Sequence, residues 1–249
     1  YDILNIPGCV NYLAAYTVSG ITDAGHKNYY LYRDTEETGE WHPLPWDVDL
    51  SAGRRWTSSQ RYFNDNLRSD FWNASTINRL WDLIHNTPDY REMYLRRVAT
   101  LRTEVLLPRG TPLENDWFSQ MVHDLEDQID PPGRSDADED YAKWRSWGNG
   151  FQMRQATNRI LREWLPPRRN FIFSSSRSQG GVRVPASQPT NPNISVETID
   201  YNPASGNQEE EYFELKNNES TAIDLSGWTV SGAVEFRFPP GTVIPVEIG

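Results

Sequence analysis

Lysine is nearly missing from this chain. Only Lys27, Lys143 and Lys216 occur in 249 residues. Cysteine is rarer still: Cys9 stands alone, which excludes a disulfide framework within the chain and a cysteine-based zinc site. No apolar run approaches the length of a membrane span. Apolar residues make up 37%, below the usual globular share. Ten Trp and twelve Tyr offset this, because each aromatic ring buries a large area, so a packed core is within reach. The formal net charge is −11, and most of it lies late in the chain. Residues 193–249 carry ten Asp/Glu against two Lys/Arg. Duplex binding relies on clustered Lys and Arg, so nucleic acid is not an expected partner of either part. Tyr1 stands where an initiator Met would, and "VIPVEIG" closes in strand-like sequence. Both ends are therefore read as truncations, and the missing signal peptide carries no information.

Apolar residues recur at helical steps through Val10, Leu13, Ala14, Thr17, Val18 and Ile21, predicting a helix over 8–21. "YYLYRD" and "WHPLPWD" read as strands joined by the turn "TEETGE". Helices follow: Ile77, Leu80, Trp81 and Ile84 share a face, and Thr87-Pro88-Asp89 is a helix start. Tyr94, Val98, Leu101 and Val105 give the next face, then Phe118, Met121, Val122, Leu125 and Ile129. A last helix over 150–165 should end at Pro166-Pro167. "RSDADED" at 134–140 reads as a solvated loop or helix start, since calcium-loop ligands do not follow it. Residues 174–192 are rich in Ser, Gly and Pro and read as a flexible linker. Short strands between turns fill the remainder, as in a β-sandwich.

The candidate chemistry lies at the two mouths of the hairpin. A phosphoryl-transfer site needs one Asp beside the acceptor hydroxyl, and an amide and a second Asp to hold a metal on the phosphates. In protein kinases the first two form Asp-x4-Asn on one loop, and the metal-binding Asp lies past the following hairpin. Asp23 and Asn28 have that spacing, and Asp47 and Asp49 stand where the chain leaves the hairpin. Asp and Asn also favour turns, so a capped loop is the bland reading of the same residues. Hard oxygen ligands of this type suit magnesium or manganese. His26 and Lys27, between them, are candidates for phosphate contact, Trp46 for core packing beside the site, and Arg54 and Arg55 for reading an acidic substrate.

"VNYLAAYTVSGITDAGHKNYYLYRDTEETGEWHPLPWDVDL" resembles the C-terminal half of the CotH kinase family, the spore-coat protein H type of secreted atypical kinase. The "NYLAA" helix, the "HKNYYLYRD" strand and the "LPWDVDL" ending carry the likeness over roughly residues 1–173. The resemblance implies a catalytic role for Asp23 and metal binding by Asp47, with Asn28 as the second metal position and Asp49 as a lesser one. It implies ATP as co-substrate, Mg2+ or Mn2+, a Ser or Thr of an extracellular or surface protein as acceptor, and a secreted or cell-surface location. No Lys precedes Asp23 and no glycine-rich phosphate loop is present, so the small lobe is expected to be missing and this fragment alone to be inactive.

"IDYNP", "EYFELKNN" and above all "DLSGW" resemble the lamin-tail domain, an immunoglobulin-like sandwich. Leu225 and Trp228 should pack inward around a Ser226-Gly227 turn, and Glu209 to Glu211 should form a solvated loop. The expected fold class is therefore α+β: residues 1–173 as the mostly helical C-terminal lobe of an atypical protein-kinase-like fold with a β-hairpin at its site, a linker at 174–192, and a truncated immunoglobulin-like β-sandwich at 193–249. Two rival functions remain open. One is a non-catalytic kinase-like surface or adhesion protein in which the lamin-tail module binds. The other is a metal-dependent hydrolase using Asp23, His26, Asp47 and Asp49.

Overall fold

In a computed structural model, residues 3–21, 25–52, 78–145, 151–174, 178–179, 182–232 and 234–246 are described. Helix α1 runs Ile6–Ser19. It starts where the Asn5 side chain accepts the Gly8 N–H at 2.6 Å, with Pro7 in the first turn, where a missing N–H costs nothing. It stops at Gly20, whose φ of 63° is a left-handed cap that a side chain would strain. Cys9, Val10, Leu13 and Ala14 are all fully buried. Residues from most of the helix circumference are inside, as expected of a helix at the centre of a core.

Strands β1 (Tyr29–Arg33) and β2 (Trp41–Pro45) form the expected antiparallel hairpin, with Tyr29 opposite Pro45 and Arg33 opposite Trp41. Asp34 holds its turn by accepting the N–H groups of Glu36, Glu37 and Thr38. Those bonds, that of Thr38 foremost, hold its carboxyl below the usual range.

Helices α2 (Arg79–Asn86) and α3 (Pro88–Leu101) follow. Thr87 does occupy the cap position of α3, but its hydroxyl makes no capping bond. Trp81 of α2 stacks on Tyr12 of α1 with ring centres 4.9 Å apart, and meets Tyr29 edge-on at 5.2 Å. These rings tie the first helix to the hairpin.

A five-residue π-helical segment, Arg102–Leu106, extends α3. Helices α4 (Trp117–Ile129) and α5 (Asp136–Trp144) come next. Ser135 caps α5 by accepting the Asp138 N–H, so the acidic run is a helix start, favoured by the positive end of the helix dipole. Helices α6 (Met153–Arg159) and α7 (Leu165–Ile172) are joined through a second π-helical segment, Ile160–Trp164. The expected stop at Pro166-Pro167 is corrected here. Both prolines lie in the first turn of α7, where the N–H they lack is not needed, and the wider π segment before them absorbs the change of register.

Past α7 the structure turns to short strands: β3 (Ser178–Gln179) with β4 (Val182–Arg183), β5 (Ile194–Asp200) with β6 (Tyr212–Asn217), β7 (Ile223–Asp224) with β10 (Val243–Ile244), and β8 (Thr229–Val230) with β9 (Phe236–Arg237). The fold is mixed α and β, a helical region followed by a sheet-rich one.

The proposed flexible linker carries contacts that a loose connector lacks. Val184 is buried, Arg96 donates to the Ala186 carbonyl at 2.7 Å, and Arg102 donates to the Pro185 carbonyl at 2.7 Å. Gln188 both donates to the Asp224 carbonyl and accepts its N–H. Within "DLSGW", Leu225 is buried and Ser226-Gly227 turn as expected, with Gly227 at φ 77°. Trp228, expected inside, is 38% exposed and lines a groove with Thr100, Thr103 and Pro189. Glu209 to Glu211 are exposed.

Candidate functional site

The hairpin brings its two mouths together through the backbone. Pairing Tyr29 with Pro45 sets Asn28 opposite Trp46, and the Trp46 N–H donates to the Asn28 carbonyl at 3.2 Å. Asp47 follows directly. Asn28 (φ 62°), Asp47 (φ 51°) and Ala52 (φ 51°) all adopt left-handed backbone. Asn and Asp tolerate this region better than most residues. Left-handed residues on both sides of one mouth sharpen the bends that lead the chain into and out of the hairpin. Local strain of this type gathers at working sites, although the conformation alone assigns no role.

Asp47, Asp49, His26 and Lys27 are exposed, while Asn28 is half-buried. Asp23 lies outside the described residues, as do Arg54 and Arg55. Among the described residues no group of three or more His, Cys, Asp or Glu side chains is gathered to hold a metal ion. Asn28 supplies an amide oxygen and Asp47 and Asp49 supply carboxylates, a hard-oxygen donor set that fits magnesium or manganese. Trp46, expected in the core, is 58% exposed instead and meets Tyr30 edge-on at 5.4 Å.

The residues that hold this mouth in place were not legible as site residues. Asn78 is the foremost. Its side-chain oxygen caps α2 by accepting the Leu80 N–H at 3.0 Å. Its amide nitrogen donates to the Gly25 carbonyl at 2.6 Å and to the Tyr29 hydroxyl at 2.5 Å. One side chain thus starts a helix and pins the loop that leads to Asn28. Asn5 does similar service at the far end: its backbone N–H donates to the Trp41 carbonyl at 3.0 Å and its amide to Glu40 at 2.8 Å. Beyond Asp49, Leu50 is buried and the Ala52 N–H donates to the Ser19 carbonyl at 2.9 Å, returning the chain to the end of α1. Only the helix-cap role of Asn78 has a local signal, an Asn before an amphipathic segment.

Residues 2–172 match the family model described as CotH kinase protein. The chain belongs to the CotH kinase family. Residues 187–247 match the Lamin Tail Domain model, so the two resemblances read from the sequence hold in the stated order. No curated protein matches the chain, and no solved structure does. Membership makes this a kinase-like protein. Within the CotH region, the Asn28–Trp46 closure and the Asn78 anchor define the mouth at which Asn28 and Asp47 stand. Among the described residues no helix is long and apolar enough to cross a membrane.

Proposed function

We propose that this CotH-family protein is a secreted or surface-displayed protein kinase that transfers the γ-phosphoryl group of ATP to a Ser or Thr hydroxyl of a protein substrate. The observation that carries the reading is the closure of the hairpin, in which the Trp46 N–H on the Asn28 carbonyl keeps Asn28 and Asp47 at one mouth. In phosphoryl transfer the protein contributes position and charge rather than covalent chemistry. Asp23 orients the acceptor hydroxyl and takes its proton. The acceptor oxygen forms a bond to the γ-phosphorus as the bond to the β–γ bridging oxygen breaks, and ADP carries that oxygen away. Asn28 and Asp47, with Asp49 beside them, are the residues that would hold the metal. Magnesium or manganese, when bound, neutralises negative charge on the phosphate oxygens. His26 and Lys27, exposed on the loop between Asp23 and Asn28, lie within a few residues of that charge and support phosphate contact.

The two acids have separable roles, and the test uses this. In the full-length protein, Asp47→Asn should abolish metal-dependent transfer and weaken ATP binding. Asp23→Asn should leave ATP binding within about twofold of wild type while turnover falls by at least ~100-fold, the usual contribution of a positioned general base. Phosphorylation of a protein substrate with labelled ATP and calorimetric ATP titration in magnesium read the two effects. Absent transfer by the wild type would replace the kinase reading with a non-catalytic scaffold, and wild-type transfer by both variants would refute the roles given to Asp23 and Asp47. Metal binding without any ATP binding would favour a hydrolase.

A further inference from the structure

The lamin-tail strands close directly over the CotH helices. Asp224, the acid of "DLSGW", is the centre of the contact, with a side chain only 2% exposed. Its carboxylate accepts from Arg97 Nη1 at 3.0 Å, from the Ser226 backbone N–H at 2.9 Å, and from the Ser226 hydroxyl. Arg97 Nε donates to Asn11 Oδ1 of α1 at 2.9 Å. One guanidinium therefore bridges α1, its own helix α3 and strand β7. Five residues earlier on α3, Glu92 lines a groove together with Ser220, Thr221 and Ala222. Gly241 lies against α1 so closely that a Cβ there would stand 1.9 Å from the Pro7 carbonyl oxygen. Ala222 and Val243 belong to the same apolar core as Cys9, Leu13 and Val98.

Helix α1 is also the support of the hairpin mouth. Asn5 at its start holds Glu40 and Trp41, Tyr12 packs edge-on to Tyr29 with ring centres 6.4 Å apart, and Ser19 at its end accepts from Ala52. We infer that the lamin-tail region is a structural brace of the CotH region, and that Arg97 and Asp224 are positioning residues for the site at the hairpin mouth. A tethered spacer would not bury an ion pair at its junction. Removing one member of such a pair strands the other charge without water, so the interface cannot open alone at small cost. The brace stands on the contacts themselves; the positioning role rests on the phosphoryl-transfer reading.

Hydrogen exchange on the full chain tests the brace. Asp224→Asn keeps the shape and one acceptor but drops the charge; Gly241→Val wedges the strands off Pro7 while leaving both charges of the pair in place. In both variants the amides of residues 6–19 should exchange at least about tenfold faster, together with those of 222–225, because sub-global opening exposes whole cooperative units. Wild type should unfold in one thermal transition. Faster exchange confined to residues 193–246, or two separate transitions, would overturn the brace. For the positioning role, kcat of phosphoryl transfer by the full-length protein should fall in both variants while KM for ATP holds. Unchanged kcat alongside opened α1 amides would refute that role. A full-length wild type with no transfer removes it together with the kinase reading, and the brace is then judged on exchange alone.

Discussion

Replacing Asn78 by Ala removes three hydrogen bonds at once, and their sum can be worked out. Loss of the α2 cap costs about 1 kcal/mol for an Asn-to-Ala change. Each bond from the amide nitrogen, to Gly25 and to the Tyr29 hydroxyl, contributes about 1 kcal/mol net. Asn78 is half-buried, so water recovers part of the loss, and the expected destabilisation is about 2 kcal/mol rather than the full 3. Asn78→Asp separates the contributions. It retains the cap oxygen, and the helix dipole favours its charge. It loses both donors and turns a carboxylate toward the Gly25 carbonyl. The Asp variant should therefore keep α2 intact while the loop at 25–28 loosens as much as in the Ala variant. Urea denaturation reads the total, and amide exchange at residues 25–28 and 79–86 reads the division. A cost below ~0.5 kcal/mol for Asn78→Ala, within the range of an ordinary surface change, would refute the reasoning. So would unchanged exchange at 25–28 in both variants.

Burial raises the Glu92 carboxyl above its ordinary value, so its folded form holds a proton that the unfolded chain has already lost. The stabilising contribution is complete below the ordinary glutamate range and is lost as pH rises through the raised value. Glu92→Gln should therefore flatten the stability–pH curve on that acidic flank; a slope identical to wild type in thermal melts across it would show that Glu92 does not contribute. Cys9 is fully buried and its thiol is pushed up to about 12 by that burial, so the native protein should resist alkylation at neutral pH and react stoichiometrically once unfolded in urea. Rapid modification of the folded chain would place α1 closer to solvent than its packing allows.

The order of elements was legible because its signals are local. The apolar period of α1, the hairpin's aromatic strands and the helix start in the acidic run at 134–140 each depend on residues within a turn or two of one another. So did the meeting of Asn28 with the segment before Asp47, since a hairpin returns the chain to where it began. The prolines at 166–167 misled because the same residue stops a helix inside and starts one at its first turn, and only the π segment before them decides which. Trp46 and Trp228 read as core because aromatics usually are, yet burial depends on what packs against them from elsewhere. Arg96, Arg97 and Arg102 are the sharpest case. A run of arginines on a helix reads as a solvated face, but here their guanidinium groups meet Ala186, Asp224, Pro185 and Ile172. Arg96 and its carbonyl partner lie 90 residues apart, and Arg97 and Asp224 lie 127 apart. Local sequence determines backbone conformation through sterics and nearby hydrogen bonds; which buried charges find partners is decided only when distant segments meet, because the cost of leaving a charge unpaired arises only once water has been excluded.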